Sequence, residues 1–316
     1  MSTLIVQIDA LAPILKNQQL AFKANPFPTY TTRIAKLKSL KNMLLQNQDA
    51  ILKTLSQDFG HRSNDDSLLS DMLASISSIN YSIKHLKRWM KPKKKHVDML
   101  FQPATAHVMH QPLGIIGIIV PWNYPLFLSI GPLTTAIAAG NRAMLKMSEF
   151  TPHTNALLAQ LLNTEFTIEE VAVIGGEADV ASVFSALQFD HLFFTGSTNV
   201  GKMVMQSAAK NLVPVTLELG GKSPSIIADD MPIDVAVKRF IFAKTLNSGQ
   251  TCVAPDYVFC PEGKLQTLID ELQFCFNSMF PSVQENKDYT SIINQRQYDR
   301  IQSLLKDAEK KGANII

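Results

Sequence analysis

The chain has 316 residues, 46% of them hydrophobic and 18% charged, which gives material for a large buried core and excludes a disordered chain. A formal net charge of +3 is too small to point to a nucleic-acid partner. Cys252, Cys260 and Cys275 show neither C-x-x-C spacing nor a disulfide framework, and the N-terminus lacks the pattern of a signal peptide, so a reducing, cytoplasmic setting is expected.

In residues 11–56 apolar side chains recur at helical spacing, interrupted at Pro26-Phe27-Pro28, with Thr31 or Thr32 expected to cap the second helix. An amphipathic helix is predicted over about 65–90, ending near Pro92. The basic run over 84–96 reads as a solvated linker, because only Trp89 interleaves its lysines and Pro92 breaks any continuous helix. Residues 99–110 alternate loosely, as a hairpin arm does. The nearly uncharged stretch 112–140 contains Pro121, Asn123 and Pro125, so it reads as a buried strand (115–120), a polar-tipped turn and a buried helix (126–139) rather than a membrane span.

Strand and helix then alternate. Short apolar runs at 143–146, 171–174 and 191–194 enclose helical stretches at 154–164 and 178–186, which implies right-handed crossovers and a mostly parallel sheet covered on both faces. Strands at 214–219 and 225–228 follow, then a helix over 233–247, a strand over 254–260, and helices over 263–280 and 295–311. Residues 313–316 read as the start of a strand. The expected fold class is α/β: a doubly wound parallel-sheet domain over 1–214, with 98–111 as an arm, and a second α/β domain over 215–316.

Four sets of residues carry chemistry. Cys252 follows the polar turn Ser248-Gly249-Gln250, which brings a thiol to a cleft where its thiolate can attack a carbonyl carbon; most free cysteines, like Cys260 and Cys275 in their apolar stretches, are instead small core residues. Glu218 lies in the apolar strand Leu217-Glu218-Leu219 before Gly220-Gly221, a costly place for a carboxylate without a salt bridge or a function. The following Lys222-Ser223 does not make a phosphate loop, since Thr216 stands where that motif needs glycine and Pro224 follows. Asn123, in Pro121-Trp122-Asn123-Tyr124-Pro125, either caps a turn or, beside Cys252, offers an amide to an oxyanion, a contact worth ~3 kcal/mol in a transition state. Finally, Phe194-Thr195-Gly196-Ser197-Thr198-Asn199-Val200-Gly201 reads as strand, glycine turn and helix start, which turns backbone N–H groups toward a pyrophosphate.

Taken together, Asn247-Ser248-Gly249-Gln250-Thr251-Cys252, Leu217-Glu218-Leu219-Gly220-Gly221-Lys222 and Pro121-Trp122-Asn123 resemble the aldehyde dehydrogenase family. Asp58-Phe59-Gly60-His61-Arg62-Ser63 and Lys146-Met147-Ser148-Glu149 resemble its coniferyl aldehyde dehydrogenase branch, and the likeness runs from about Leu20 to the end. The resemblance implies Cys252 as nucleophile, Glu218 as the base for hydrolysis, and Asn123 with the Cys252 N–H as oxyanion donors. It also implies cofactor contacts from Trp122, Lys146, Glu149, Gly196, Ser197, Val200 and Gly201. A carboxylate at Glu149 favours NAD, with NADP possible. The implied activity is NAD(P)-dependent oxidation of an aldehyde to a carboxylic acid without a metal, in a homodimer with neither nucleic-acid nor membrane partner. Glu218 disfavours a CoA-acylating reaction, because a water-activating base serves hydrolysis. The resemblance further implies a C-terminal continuation, bearing a glutamate for the nicotinamide ribose, so the chain reads as truncated. A catalytically inactive fragment that retains nucleotide binding or chain association is the alternative.

Overall fold

The computed structural model describes residue 4 and residues 7–316. The backbone gathers into two units, Met1–Ile51 with Leu69–Leu219 and Leu52–Leu68 with Gly220–Ile316. The chain opens with helices α1 (Ile8–Ala24), α2 (Tyr30–Gln46) and α3 (Gln48–Asp58). Thr29 caps α2, rather than Thr31 or Thr32: its hydroxyl accepts the Thr32 N–H at 3.2 Å, and the two expected caps lie inside the helix. The helix expected over 65–90 is instead α4 (Asn64–Ser67), a π-helical turn at Leu68–Leu73, and α5 (Ala74–Trp89). That turn carries the buried Asp71, whose Oδ1 accepts the Phe127 N–H at 2.8 Å. The lysine run is not a linker either. Lys93–Lys95 forms strand β1, antiparallel to β2 (Ala106–Val108), and both strands are exposed throughout.

In the first unit, β3 (Ile115–Ile119), α6 (Phe127–Ala139), β4 (Arg142–Lys146), α7 (Pro152–Glu165), β5 (Val171–Ile174), α8 (Ala178–Ser185), β6 (His191–Gly196), α9 (Thr198–Ala209) and β7 (Val215–Leu219) alternate as expected. The strands pair in the order β5-β4-β3-β6-β7, every pair parallel. All five residues of β3 are buried, which fits a central strand covered on both faces. Helices α6 and α7 pack on one half of the sheet with α2 and α5, while α1, α8 and α9 enclose a core of Leu11, Ile119, Phe184, Leu192, Phe194 and Val204. Arg33 closes the C-terminus of α6. Its Nη1 donates to the Ala138 and Ala139 carbonyls at 3.1 and 2.8 Å, and its Nε donates to Pro28 at 2.9 Å. The chain leaves α6 through Gly140 at φ +90°, where a Cβ would stand 2.6 Å from the guanidinium carbon.

The second unit carries β8 (Ser223–Ile226), α10 (Ile233–Thr245), β9 (Pro255–Phe259), α11 (Leu265–Met279) and α12 (Gln295–Lys310). The parallel pairing of β8 with β9 makes α10 a crossover helix, and Ile233, Val237 and Ile241 pack it on Leu268 and Cys275. Residues 313–316 do not start a strand: the Ala313 N–H turns back to the Ala308 carbonyl at 3.0 Å, closing α12 through Gly312 at φ +86°. Among the described residues no helix is long and apolar enough to cross a membrane, and no cluster of three His, Cys, Asp or Glu is placed to hold a metal.

Candidate functional site

In the first unit the strand order reverses between β3 and β6, and in such sheets ligands bind outside the carboxyl ends of the strands at that reversal. Trp122 and Asn123 follow β3, both half-buried, on the turn that enters α6. The Val120 N–H donates to the Lys146 carbonyl at 2.9 Å, so β3 and β4 stay paired up to that turn. Asp71 then fixes the first N–H of α6, which leaves the turn little freedom at either end.

Lys146 ends β4 with its side chain 2% exposed. The ammonium donates to the Met147 and Gly176 carbonyls, each at 2.7 Å, and burial holds its pKa below that of an ordinary lysine, with Glu149 and Asp179 opposing. Two of its three donors thus support the strand end, whereas the nearby Glu149 is exposed.

The turn from β6 into α9 offers an anion site of ordinary helix chemistry. The Ser197 hydroxyl caps α9 by accepting the Val200 N–H at 3.4 Å, and Ser197 and Val200 are exposed. Gly201, buried one turn in, lets the helix approach the sheet. A Cβ there would lie 2.9 Å from Leu219 Cδ2 and 3.4 Å from the Phe194 ring. The residue types and the close helix–sheet approach fit a dinucleotide pyrophosphate. Glu218 is exposed on β7, paired in register with Thr195 of β6, so it lies at the same end of the sheet as the residues above.

Cys252 belongs to the second unit and is exposed. Its carbonyl accepts the Gly221 N–H at 3.1 Å, and the Ala254 N–H bonds back to Thr251 at 3.2 Å. The loop before it is unusual. Asn247, Ser248 and Gly249 take φ of +52°, +53° and +74°, so three left-handed residues follow one another, two of them not glycine. Side chains distant in sequence brace this turn. Asp66 Oδ2 accepts both the Asn247 N–H and the Thr290 hydroxyl, each at 3.0 Å, and Ser248 Oγ donates to the Thr290 carbonyl. The Gln250 amide donates to the Asn247 and Ser291 carbonyls at 3.0 Å, while its oxygen accepts the Ile293 N–H at 3.0 Å. Burial raises the Asp66 pKa, and the bonds from Asn247 and Thr290 and the charge of Arg62 oppose the shift. Sequence reasoning assigned no role to Asp66, Gln250 or Thr290. Only the tight turn at Ser248-Gly249 hinted that the loop needs support.

Comparison with known proteins fits this arrangement. The model of the "Aldehyde dehydrogenase family" matches residues 10–316. A Pseudomonas aeruginosa protein named "Probable coniferyl aldehyde dehydrogenase" is 50% identical over 310 residues, which cover 98% of this chain and 65% of the relative. This chain therefore spans less than two thirds of that relative's length. Among solved structures, the substrate-bound state of Staphylococcus aureus AldH superposes with a TM-score of 0.90 at 36% identity, covering 94% of this chain and 65% of that one. A Mycobacterium tuberculosis aldehyde dehydrogenase complexed with NAD+ shares the fold, with a TM-score of 0.88 at 24% identity over 99% of this chain and 65% of that one. A family match across nearly the whole chain, joined to a parallel sheet with a capped helix at its reversal, establishes that the chain belongs to the aldehyde dehydrogenase family.

Proposed function

We propose that the chain carries the residues for NAD(P)-dependent oxidation of an aldehyde to a carboxylic acid. Residues 1–214 serve nucleotide binding and 215–316 belong to the catalytic part. The observation that carries the reading is the exposed Cys252 at the end of a braced left-handed turn, in a chain of this family. The Cys252 thiolate adds to the carbonyl carbon, forming a C–S bond and a tetrahedral oxyanion that the Asn123 amide and the Cys252 N–H stabilise. The dinucleotide, when bound, supplies the acceptor for the hydride that leaves this carbon. Glu218 takes a proton from water as the water attacks the resulting thioester, the C–S bond breaks, and acid and thiolate are released. Trp122, Lys146, Glu149, Gly196, Ser197, Val200 and Gly201 would hold the cofactor, with Glu149 favouring NAD over NADP by repelling a 2′-phosphate. Likeness to a protein named for coniferyl aldehyde supports an apolar aromatic aldehyde as substrate. The exposed Met99, Leu100 and Phe101 beside the β1–β2 hairpin support assembly as a homodimer through the arm at 98–111.

A second reading keeps nucleotide binding without turnover. Cys252 and Glu218 are both exposed, and this chemistry gains from a site closed to bulk water. One experiment separates the readings: the chain is mixed with NAD and a panel of aromatic and aliphatic aldehydes, and reduced cofactor is followed by absorbance. Turnover that falls at least about a thousandfold in Cys252→Ala supports oxidation. In Glu218→Gln, slowed deacylation should leave an acyl adduct on Cys252, seen as added mass. Nucleotide binding with no rate for any aldehyde selects the second reading.

A further inference from the structure

Left-handed backbone is disfavoured at a non-glycine residue, and Asn247 and Ser248 both adopt it, five and four residues before Cys252. Such a turn persists only where its surroundings over-determine it. Two chain segments do so here. One supplies Asp66 and the other Thr290, and neither is near the turn in sequence: Asp66 is 181 residues from Asn247, and Thr290 is 42 from Ser248.

The geometry converges on one atom. Asp66 Oδ2 takes the N–H of Asn247, which is fully buried, and the hydroxyl of Thr290, which is 1% exposed. The Thr290 carbonyl in turn takes the Ser248 hydroxyl, so one carboxylate oxygen and one threonine address two successive residues of the turn. Asp66 itself is anchored in α4, where its own N–H donates to the Ser63 hydroxyl at 3.4 Å, and the Ser63 N–H reaches Thr290 Oγ1 at 3.4 Å. The Ser291 N–H and Lys287 carbonyl are bonded to the backbone and ring of His61, which joins the same two segments again.

We propose that Asp66 is a positioning residue for the cysteine loop: by taking the Asn247 N–H and the Thr290 hydroxyl on one oxygen, it holds residues 247–249 left-handed and thereby sets where Cys252 stands. The consequence for catalysis rests on the reading of Cys252 as nucleophile; the consequence for the loop does not. Asp66 touches no reacting atom, and its effect on rate passes through the backbone.

The test uses the full chain and three variants. Asp66→Ala removes the shared acceptor. Asp66→Asn keeps a carbonyl oxygen that can occupy the same place. Thr290→Val removes the hydroxyl at nearly constant shape. Amide hydrogen exchange of the peptide spanning 245–252 should accelerate about tenfold or more in Asp66→Ala, and to a smaller degree in Thr290→Val, while Asp66→Asn stays near the parent. In the aldehyde assay kcat should fall about tenfold in Asp66→Ala with KM for NAD within about twofold, and Asp66→Asn should recover it. Unchanged exchange in Asp66→Ala and Thr290→Val overturns the proposal, as does equal acceleration in Asp66→Ala and Asp66→Asn, which would assign the effect to charge rather than to the shared acceptor. A parent chain without turnover would count against aldehyde oxidation alone, and the exchange result would still decide whether Asp66 holds the turn.

Discussion

Trp122, Asn123, Lys146 and the turn at 196–201 stand at the ends of strands whose backbone ladders continue to the last residue before each loop. The loop before Cys252 has no such ladder. Its turn is held by Asp66, whose side chain reaches in from a distant segment, and by the loop's own Ser248 and Gln250, which reach out to the Thr290 and Ser291 carbonyls. In the first region the loops start from many equivalent backbone hydrogen bonds, with Asp71 adding one side-chain bond at the start of α6. In the second, a few side chains carry the turn, and each can be removed alone. Damage to the sheet region should therefore appear as lost global stability, and damage to the braces as lost local order.

The largest effect is expected at Arg33. Replacing it with Met leaves the Ala138, Ala139 and Pro28 carbonyls without their donor and keeps the apolar bulk. At ~1–3 kcal/mol for a buried group left unsatisfied, a total loss of about 3 kcal/mol is expected. For a domain of this size that lowers the midpoint of thermal unfolding by roughly 6–12 °C. Circular dichroism on heating would measure it; a midpoint within a degree of the parent would mean that water satisfies these carbonyls and that α6 needs no such closure.

A smaller loss is expected at Gly117 in the middle of β3. A Cβ there would lie 2.6 Å from the Phe189 ring and 2.7 Å from Leu192, both buried. Gly117→Ala therefore overpacks the sheet face and should cost about 1–3 kcal/mol. Because the ladder on either side of residue 117 remains, nucleotide affinity of the folded protein should stay within about twofold of the parent. A binding titration that showed a large loss of affinity at unchanged stability would reverse the contrast drawn between the two regions.

The same contrast explains what could be read from the sequence. Parallel strands declared themselves by short apolar runs, and those at 115–120, 143–146, 171–174 and 191–194 reappear within a residue or two as β3 to β6. Each of these signals is local. The cap of α2 fell on Thr29, because a chain of threonines offers several hydroxyls and only the backbone shows which residue is still extended. Lys93–Lys95 carries no apolar alternation, and pairing with β2 makes it a strand. Asp66 was illegible for a stronger reason: its partners are 181 and 224 residues away, and nothing near it in sequence records them. The turn before Cys252 was legible in Ser248-Gly249, its bracing was not.

The finest distinction between the two regions lies in pH. Burial raises the Asp66 pKa, with the Asn247 and Thr290 hydrogen bonds and Arg62 opposing, so the folded chain binds this proton more tightly than the unfolded chain does. The stability associated with that proton is fully present below the unfolded carboxylate value of about 3.9 and is lost as pH rises through the folded value. At neutral pH the parent therefore carries a small cost that Asp66→Asn, which is never charged, does not. The variant should unfold at a slightly higher temperature than the parent at pH 7, and the gap should shrink as the pH is lowered toward 4. Thermal unfolding of the pair at several pH values reads this directly. A gap of the opposite sign at pH 7 would mean that the ionised form gains more from its two donors and Arg62 than it loses by burial, and would make the charge itself part of the brace.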